Sequence, residues 1–290
     1  MQSTDDKITL NPYERWHMRH RMFRYRFKSE RPSISFILGC DLAGKTLVDV
    51  GANYGIYSCY FSKKAGADGA VIAFEPQPEL NDHLVRMRNS FGLENLTVVN
   101  KGLSSENSRL RMSRPFAGSG EAGVNLPDGM FGEEFEVEVM TLDRYLGTVE
   151  RKAIAFMKAD VQGHEYDVFR GARGVLEQDK PTLLFELYDY EAESGEVFSM
   201  LTDLGYVGWF YYVQPSDHAS IFRSGRGKYI EFQEFDKYEN VRPSVNFRNY
   251  LFAHKNSREA AALRRVVGIP RVSAAIDIAA QAPANETIHR

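Results

Sequence analysis

The sequence predicts an α/β fold built around a mostly parallel sheet, because short apolar runs alternate along the chain with segments of helical periodicity. The clearest unit is an apolar run over 46–50, a glycine-containing turn, a helix-like segment over 56–65 and a second apolar run over 71–74. Glu75 follows directly, at the tip of the second predicted strand. Nucleotide-binding folds place a carboxylate there to accept hydrogen bonds from ribose hydroxyls, so the unit favours a nucleoside-containing ligand.

The later segments continue this alternation. Further helices are predicted over 79–91, 142–146, 166–176, 197–204 and 258–266. Further strands or extended segments are predicted over 96–99, 137–140, 154–157, 182–187, 206–213 and 250–253, whereas 114–132 is glycine-rich and irregular. We divide the chain into a basic and aromatic helical extension (1–45), a central domain (46–255) and an alanine-rich, partly flexible tail (256–290).

Composition and charge favour one enzyme-sized domain and argue against several classes of protein. A chain of 290 residues with 43% hydrophobic residues can bury a full core, and a net charge of −3 gives no general attraction to nucleic acid or anionic membranes. Cys40 and Cys59 form neither a disulfide framework nor a C-x-x-C pair, which favours a reducing, cytoplasmic location. The acidic residues Asp5 and Asp6 argue against a signal peptide. No apolar run approaches the roughly 18 residues of a membrane span.

The glycine spacing after the first strand distinguishes between classes of nucleotide. A dinucleotide site needs G-x-G-x-x-G, but the corresponding positions after Gly51 are Asn53 and Ile56. Residues 39–46 have the spacing of a P-loop, G-x-x-x-x-G-K-T, yet Thr46 opens a predicted strand where a P-loop requires a helix. The turn therefore favours a ligand without a pyrophosphate, and S-adenosylmethionine is such a ligand.

Successive motifs resemble those of the FkbM-like methyltransferases in order and spacing: 48–55 (VDVGANYG), 74–76 (FEP), 141–143 (TLD) and 158–165 (KADVQGHE). The resemblance spans residues 46–255. It implies a Rossmann-like class I methyltransferase fold, with helices on both faces of the sheet and an antiparallel edge. It also implies S-adenosylmethionine as the cofactor and a hydroxyl acceptor on a sugar, a glycan or a polyketide-type molecule. One departure is Gln162, where the family pattern usually has glutamate, so no role of that carboxylate is transferred.

The resemblance and the topology together assign residues to the cofactor. Glu75 is expected to bind both ribose hydroxyls, since its two carboxylate oxygens can each accept a hydrogen bond. Asp49 is expected to accept loop N–H groups or to face the cofactor's ammonium group, and Gln77 to reach the ribose or adenine. The segment 100–104 is expected to follow the adenine edge. The full predicted set is Asp49, Gly51, Ala52, Asn53, Tyr54, Gly55, Glu75, Pro76, Gln77, Gly102, Leu103, Ser104 and Asp160.

Three side chains near the ends of the fourth and fifth strands are candidates for the base that takes the proton of the acceptor hydroxyl. We rank His164 first, because histidine titrates near neutrality, then Asp160 after the fourth strand and Glu186 at the end of the fifth. An exposed helical histidine is the alternative for His164. Lys158 lies on the same side of its strand as Asp160 and is a predicted orienting cation. Asp160 with Glu186 or Asp189 could hold a magnesium ion, although such carboxylates also occur without metal, and no metal site is predicted.

The N-terminal extension is basic and aromatic over 13–28 and predicts a helix. We expect it to dock the aromatic face of Trp16, Phe23 and Phe27 on the domain and to leave its arginines in solvent. Alternatives are a lid over the substrate, a site for an anionic acceptor such as an acidic glycan, or attachment to a membrane surface. The predicted function is an O-methyltransferase. An RNA methyltransferase and a cofactor-binding domain without turnover are the alternatives, although nucleic acid is not the expected partner.

Overall fold

The structure is a computed structural model that describes residues 8–124, 132–187, 195–212, 228–232 and 249–266. Its strands are β1 (Thr46–Val50), β2 (Ala70–Phe74), β3 (Leu96–Val99), β4 (Gly102–Leu103), β5 (Ser108–Arg114), β6 (Glu133–Met140), β7 (Ile154–Ala159), β8 (Thr182–Glu186), β9 (Tyr206–Tyr212), β10 (Lys228–Phe232) and β11 (Asn249–His254). Its helices are α1 (Pro12–Arg24), α2 (Arg31–Gly39), α3 (Ile56–Ala65), α4 (Pro78–Phe91), α5 (Leu142–Leu146), α6 (Glu165–Arg170), α7 (Arg173–Gln178), α8 (Glu196–Asp203) and α9 (Arg258–Val266). A π-helical turn, Tyr25–Ser29, joins α1 to α2. Within these described ranges, no helix has the length and apolar character needed to cross a membrane.

The central sheet has eight strands in the order β10-β9-β11-β8-β7-β1-β2-β3. Strands β3, β2, β1, β7 and β8 pair in parallel, whereas β11, β9 and β10 extend the sheet in antiparallel pairs. The predicted α/β fold, with a Rossmann-like and mostly parallel sheet, is therefore confirmed. The predicted antiparallel edge is also confirmed, and it is wider than a single strand because β11 inserts between β8 and β9.

Strand β1 shows how the sheet is buried on both faces. Leu47 packs with Phe61 and Phe156 in one core, which lies against α2, α3 and α4. Val48 and Val50 enter a second core on the opposite face, against α6, α7 and α8. Each such buried aliphatic side chain contributes about 1.5–3 kcal/mol. Burial on both faces explains why Leu47, Val48 and Val50 are all apolar, without the strict alternation of a half-exposed strand.

The middle of the chain differs from the sequence prediction in two places. Residues 108–114 were not predicted to be extended, yet they form β5, which pairs with β6 in a second sheet of order β4-β6-β5. Of this strand only Arg114 lies in the segment 114–132 that was predicted to be irregular. The single helix predicted over 166–176 is instead α6 and α7, which separate at Gly171. A Cβ atom at Gly171 would lie 1.9 Å from the carbonyl oxygen of Ser104, so only glycine allows the chain to pass there.

The N-terminal extension docks on the domain through methionines. Met18 and Met22 of α1 are buried, whereas Trp16, Phe23 and Phe27 are 60%, 59% and 51% exposed. The expected docking of the aromatic face is therefore wrong. The flexible thioether side chains fill the space against the core, and the aromatic rings remain in solvent beside the arginines.

Two further segments settle predictions about local structure. Gly39 ends α2 and Thr46 opens β1, so residues 39–46 lead from a helix into a strand and do not form a P-loop. At the other end of the chain, the helix predicted over 258–266 is confirmed as α9, in which Ala260 and Leu263 are buried. The rest of the predicted tail, 267–290, lies outside the described residues.

Candidate functional site

A cleft of about 640 Å³, its open mouth included, lies at the carboxyl ends of β1, β2 and β7, where open α/β sheets bind their ligands. The predicted cofactor residues that line it are Gly51, Asn53, Glu75, Pro76, Gln77, Gly102, Leu103 and Asp160, and the predicted base His164 lines it as well. The other predicted cofactor residues, Asp49, Ala52, Tyr54, Gly55 and Ser104, lie outside this lining. The sequence therefore located most of the cleft wall on the side of the central sheet.

The turn from β1 into α3 is built for close backbone approach. Gly51 has a φ of +68°, and a Cβ atom there would lie 2.0 Å from the carbonyl oxygen of Asp160. The N–H groups of Gly51 and Ala52 both donate to the carbonyl oxygen of Phe74, at 3.0 Å. These contacts hold the ends of β1, β2 and β7 together, and they explain the need for glycine at position 51 in physical terms.

Glu75 is held rigidly at the tip of β2. One carboxylate oxygen accepts the N–H of Asn53 at 2.8 Å, and the other accepts the N–H of Gln77 at 3.0 Å. The side chain is 3% exposed, and this burial raises the pKa of Glu75 to about 7 against the pull of the two N–H groups. Each oxygen has a further lone pair, so the carboxylate retains acceptor capacity toward the cleft.

Gln77 holds the second sheet over the cleft. Its amide nitrogen donates to the carbonyl oxygen of Ser119 at 2.9 Å, and its amide oxygen accepts from Arg114 at 3.0 Å. The Arg114 guanidinium is buried and also pairs with Glu79 at 3.1 Å and with Glu133 at 2.7 Å. Gln77 therefore has a structural role, because its amide lies between the two sheets. Its expected contact with the ribose or adenine stays a prediction.

The second sheet and the loop beside it supply an apolar wall that the sequence analysis did not assign. This wall consists of Met112, Ala122, Val124, Val137 and Val139. A signal for part of it was present, because Leu110 and Met112 alternate with Arg109 and Arg111 as in a half-buried strand. Which cleft this strand would cover depends on tertiary pairing and has no local signal.

A buried lysine with two carboxylates lies where β1 and β7 run side by side. The ammonium group of Lys158 is 3.3 Å from Asp160 Oδ2 and 3.7 Å from Asp49 Oδ1, and it donates to the carbonyl oxygen of Gly51 at 3.1 Å. Burial by itself lowers the pKa of Lys158, but Asp160 and Asp49 outweigh it and hold that pKa above its ordinary value. Lys158 is therefore a fixed cation beside Asp160, in the position predicted for it.

Asp49 supports this cation from inside the core. It is fully buried, and burial raises its pKa in spite of Lys158 and the hydroxyl of Ser58. Asp49 Oδ2 accepts that hydroxyl at 2.5 Å, a contact to α3. Among the described residues, Asp49 Oδ1 accepts no hydrogen bond, and the nearby Lys158 compensates its charge. The expected bonds from loop N–H groups to Asp49 are thus replaced by a contact to the helix.

The turn after β7 shapes the position of Asp160. Gln162 has a φ of +57°, and its amide nitrogen donates to Asp160 Oδ1 at 2.8 Å. The carboxylate of Glu165 accepts the N–H groups of Val161 at 2.7 Å and Gly163 at 3.1 Å. Glu165 is the first residue of α6, and these two hydrogen bonds fix the turn before the helix.

His164 lies on the side of the cleft formed by the segment after β3. Its Nε2 atom is 2.9 Å from the hydroxyl oxygen of Ser104, and its Nδ1 atom is 3.6 Å from Asp167. The ring is 7% exposed, so it is not the exposed helical histidine considered as the alternative. Burial lowers the pKa of His164 below the ordinary value, although Asp167 opposes this shift.

The third candidate base and the possible metal ligands lie farther along the sheet edge. Glu186 ends β8, where it pairs in register with Asn249 of β11. Asp189 lies outside the described residues. Across the residues that the structure describes, no group of three or more histidine, cysteine, aspartate and glutamate side chains is arranged to hold a metal ion.

The N-terminal extension reaches the same edge of the sheet. Glu30, at the start of α2, accepts the hydroxyl of Tyr57 at 2.9 Å and the amide of Asn249 at 2.8 Å, both on Oε2. The Arg21 guanidinium of α1 lies 4.0 Å from the centre of the Tyr54 ring, a cation–π geometry. Neither Arg21 nor Glu30 was assigned to the site from the sequence, because no local pattern indicates which strand ends they approach.

The cleft fits an adenosine-containing ligand. Glu75 offers a fixed carboxylate that can accept hydrogen bonds from hydroxyl groups such as those of a ribose. The apolar wall that includes Met112 and Val139 suits the face of a purine. Such a lining, mostly apolar with a few fixed polar groups, is typical of small-molecule and cofactor sites.

Comparison with known proteins adds independent findings. A family model described as the methyltransferase FkbM domain matches residues 49–207. The hexuronic acid methyltransferase AglP of Haloferax volcanii is 30% identical over 133 residues, which are 45% of this chain and 51% of that protein. The chain therefore spans about half the length of this curated relative.

Solved structures also align with the chain. The methyltransferase FkbM of Methylobacillus flagellatus is 15% identical, with a TM-score of 0.46, over 74% of this chain and 45% of that one. A SAM-dependent O-methyltransferase of Thermotoga maritima is 12% identical, with a TM-score of 0.42, over 79% of this chain and 66% of that one.

Proposed function

Because the chain belongs to the family described as the methyltransferase FkbM domain, we propose that it transfers the methyl group of S-adenosylmethionine to a hydroxyl group of a sugar. The observation that carries the choice of cofactor is Glu75, whose fixed carboxylate ends β2 opposite the glycine turn. The choice of a sugar draws on the hexuronic acid methyltransferase, which is similar over about half of its length. A polyketide-type hydroxyl, the other acceptor predicted from the sequence, belongs in the same test.

The residues of the cleft have separate tasks in this proposal. When bound, S-adenosylmethionine supplies an electrophilic methyl group on its sulfonium sulfur. Glu75 would accept the ribose hydroxyls, and the apolar wall with Met112 and Val139 would enclose the adenine. Gly51 would keep the end of β7, with Asp160, close to the cofactor turn, because it has no Cβ atom to push the two apart. Arg114 and Gln77 would keep the second sheet closed over it.

The acceptor side would be organised by Asp160 and Lys158. Lys158 orients the carboxyl group of Asp160 from one oxygen, and the amide of Gln162 contacts the other oxygen. The acceptor hydroxyl must lie in line with the methyl group for the displacement to occur. Holding it there in advance removes an entropy cost from the activation barrier, and this positioning can supply a large part of the rate acceleration. In this role Asp160 orients the hydroxyl by accepting its hydrogen bond.

The identity of the base stays a prediction, with His164, Asp160 and Glu186 as the candidates from the sequence. The ring of His164 is buried and close to Ser104, which favours a role in the wall of the cofactor site. Asp160 lies beside Lys158 at the end of β7. A divalent metal is not part of the proposal, and turnover measured with and without a chelator tests that choice.

Binding experiments test the cofactor. S-adenosylhomocysteine should raise the melting temperature of the protein through ligand linkage, whereas ATP, GTP and NADH should not. A stabilisation by ATP that disappears in Lys45→Ala would contradict the proposed cofactor site, because it would revive the P-loop interpretation of residues 39–46.

Turnover experiments test the acceptor. Methyl-labelled S-adenosylmethionine is incubated with the protein and with acidic sugars, neutral sugars, polyketide alcohols or RNA, and transfer is measured by mass spectrometry. We expect label on a sugar hydroxyl. Label on RNA, together with binding that weakens steeply with salt, would support the alternative nucleic-acid enzyme. Binding of S-adenosylhomocysteine without transfer to any acceptor would support a cofactor-binding domain without turnover.

A further inference from the structure

We propose that Glu30, from the N-terminal extension, is the residue that receives the proton of the acceptor hydroxyl. This inference rests on the proposed methyltransferase function and assigns a catalytic residue that lies before the segment matched by the family model, 49–207. It concerns the cluster of Glu30, Tyr57, Lys158 and Asp160, which we call the acceptor-side cluster.

The geometry of the acceptor-side cluster connects Glu30 to the methyl-transfer end of the sheet. The hydroxyl of Tyr57 donates to Glu30 at 2.9 Å. The ring of Tyr57 lies under the ammonium of Lys158, at 5.2 Å from nitrogen to ring centre, and that ammonium is 3.3 Å from Asp160. Asn249, which donates to Glu30 at 2.8 Å, stands in register with Glu186 at the carboxyl end of β8. Glu30 therefore belongs to the same sheet edge as Asp160.

The hydrogen bonds of Glu30 leave it suited to take a proton. Both donors, Tyr57 and Asn249, are neutral and use the same oxygen, Oε2. Asp160, by contrast, has the Lys158 ammonium on one oxygen and the Gln162 amide on the other. Within the described part of the chain, the hydrogen-bond donors to Glu30 include no cation.

The protonation behaviour of Glu30 agrees with this geometry. Burial raises the pKa of Glu30 to about 7, with the negative charge of Asp160 acting in the same direction and Tyr57, Lys158 and Asn249 acting against it. The titratable and charged groups that face it are Tyr25, Tyr57, Lys158, Asp160 and Tyr229. A base is most effective when its pKa lies near the working pH.

The acceptor oxygen forms the new bond to the methyl carbon, while the carbon–sulfur bond breaks and its electron pair stays on sulfur. The O–H bond of the acceptor breaks and its proton goes to the carboxylate of Glu30. The products are the methyl ether, S-adenosylhomocysteine and protonated Glu30, which returns its proton to water.

The test compares Glu30→Gln with wild type, using the acceptor that wild type methylates best. The substitution keeps the size of the side chain and one amide oxygen for Tyr57 and Asn249. We expect kcat to fall by roughly 10²–10⁴, the usual contribution of a positioned base, while the affinity for S-adenosylhomocysteine changes by less than about twofold, since Glu30 has no part in the cofactor site. Wild-type kcat should rise with pH through a pKa of about 7, and this rise should disappear in the variant.

Controls separate a catalytic role from a structural one. Glu30→Asp keeps a carboxylate and should retain a pH-dependent kcat, whereas Glu14→Gln, in the same extension but paired with Arg86, should keep the wild-type kcat. In ¹³C-carboxyl spectra, wild type should show two signals that titrate near pH 7, and Glu30→Gln should lose one of them and keep the other, that of Glu75. Wild-type kcat and an unchanged pH profile in Glu30→Gln would overturn the assignment and leave Glu30 as a structural link. Absence of wild-type turnover with every acceptor would overturn both this inference and the proposed function.

Discussion

The cofactor half and the acceptor half of the site are assembled in different ways. Around Glu75 the contacts are local, since Asn53 and Gln77, which bind its carboxylate, lie 22 and 2 positions away. On the acceptor side, Lys158 bonds to Gly51 across 107 positions and Glu30 to Asn249 across 219. A single stretch of sequence thus reveals the first half, whereas the second exists only after distant segments have met.

The two halves also stabilise their carboxylates differently. Glu75 is bound by backbone N–H groups, and burial raises its pKa to about 7. Asp160 lies beside the fixed ammonium of Lys158. A ligand in the cofactor half must bring hydroxyl donors to a buried carboxylate, while the acceptor half already contains a compensating positive charge. Variants that alter one half and spare the other measure this difference.

The largest effect is expected from Lys158→Met. It would leave the fully buried Asp49 without its cation, and removal of one partner from a buried pair costs about 3–5 kcal/mol of unfolding free energy. Urea denaturation measures the loss, and the double variant with Asp49→Asn should recover part of it. Lys101→Met, which breaks the solvent-screened, exposed pair with Glu138, should cost far less unfolding free energy. Equal losses from the two lysine variants would contradict the buried-pair interpretation.

Gly51→Ala should cost about 2–5 kcal/mol of unfolding free energy, from the left-handed backbone and from the clash with Asp160. It should also abolish binding of S-adenosylhomocysteine. Gly92 is the control, because its backbone is left-handed, with a φ of +62°, and the space around its Cβ position is open. If Gly92→Ala destabilises the protein as much as Gly51→Ala does, the close approach to Asp160 contributes no measurable free energy.

Glu75→Gln should weaken binding of S-adenosylhomocysteine by about 1.5–3 kcal/mol, the range for hydrogen bonds to a charged group. The pKa of about 7 adds a pH dependence. Below that pKa the carboxyl is protonated and accepts poorly, so wild-type affinity should rise as pH increases through 7, and the variant should show no such rise. Calorimetry between pH 5.5 and 8.5 measures both effects. Unchanged affinity in the variant would remove Glu75 from the ribose site.

His164→Ala should have the smallest effect. Loss of its contact with Ser104 should reduce the affinity for S-adenosylhomocysteine by about 0.5–1.5 kcal/mol, the value of one hydrogen bond. Ser104→Ala removes the same contact and should behave alike, with kcat retained in both. The contrary result would be a fall in kcat by roughly 10²–10⁴ in His164→Ala but not in Ser104→Ala. If the pH dependence of kcat below the ordinary histidine pKa disappeared as well, His164 would be established as the base.

The division between halves also explains what the sequence could predict. The first two strands, the glycine turn and Glu75 follow from short-range patterns, because a strand, its turn and the next strand tip are contiguous in the chain. The contact of Arg114 with Gln77 could not be predicted, because it depends on the pairing of β5 with β6. Arg114 also begins the glycine-rich segment that was predicted to be irregular. Glu30 has no local signal either, since its partners come from α3 and β11.

The hydrogen bond from Asn249 to Glu30 bears on the order in which the protein folds. The entropy lost on closing a loop grows with its length, so a contact across 219 positions forms late compared with strand pairs that are close in sequence. Variants of residues whose contacts form late speed unfolding and leave the folding rate nearly unchanged. We therefore expect the pocket for the methyl donor to become competent first during folding, and the surface that recognises the acceptor to be completed last and to open first.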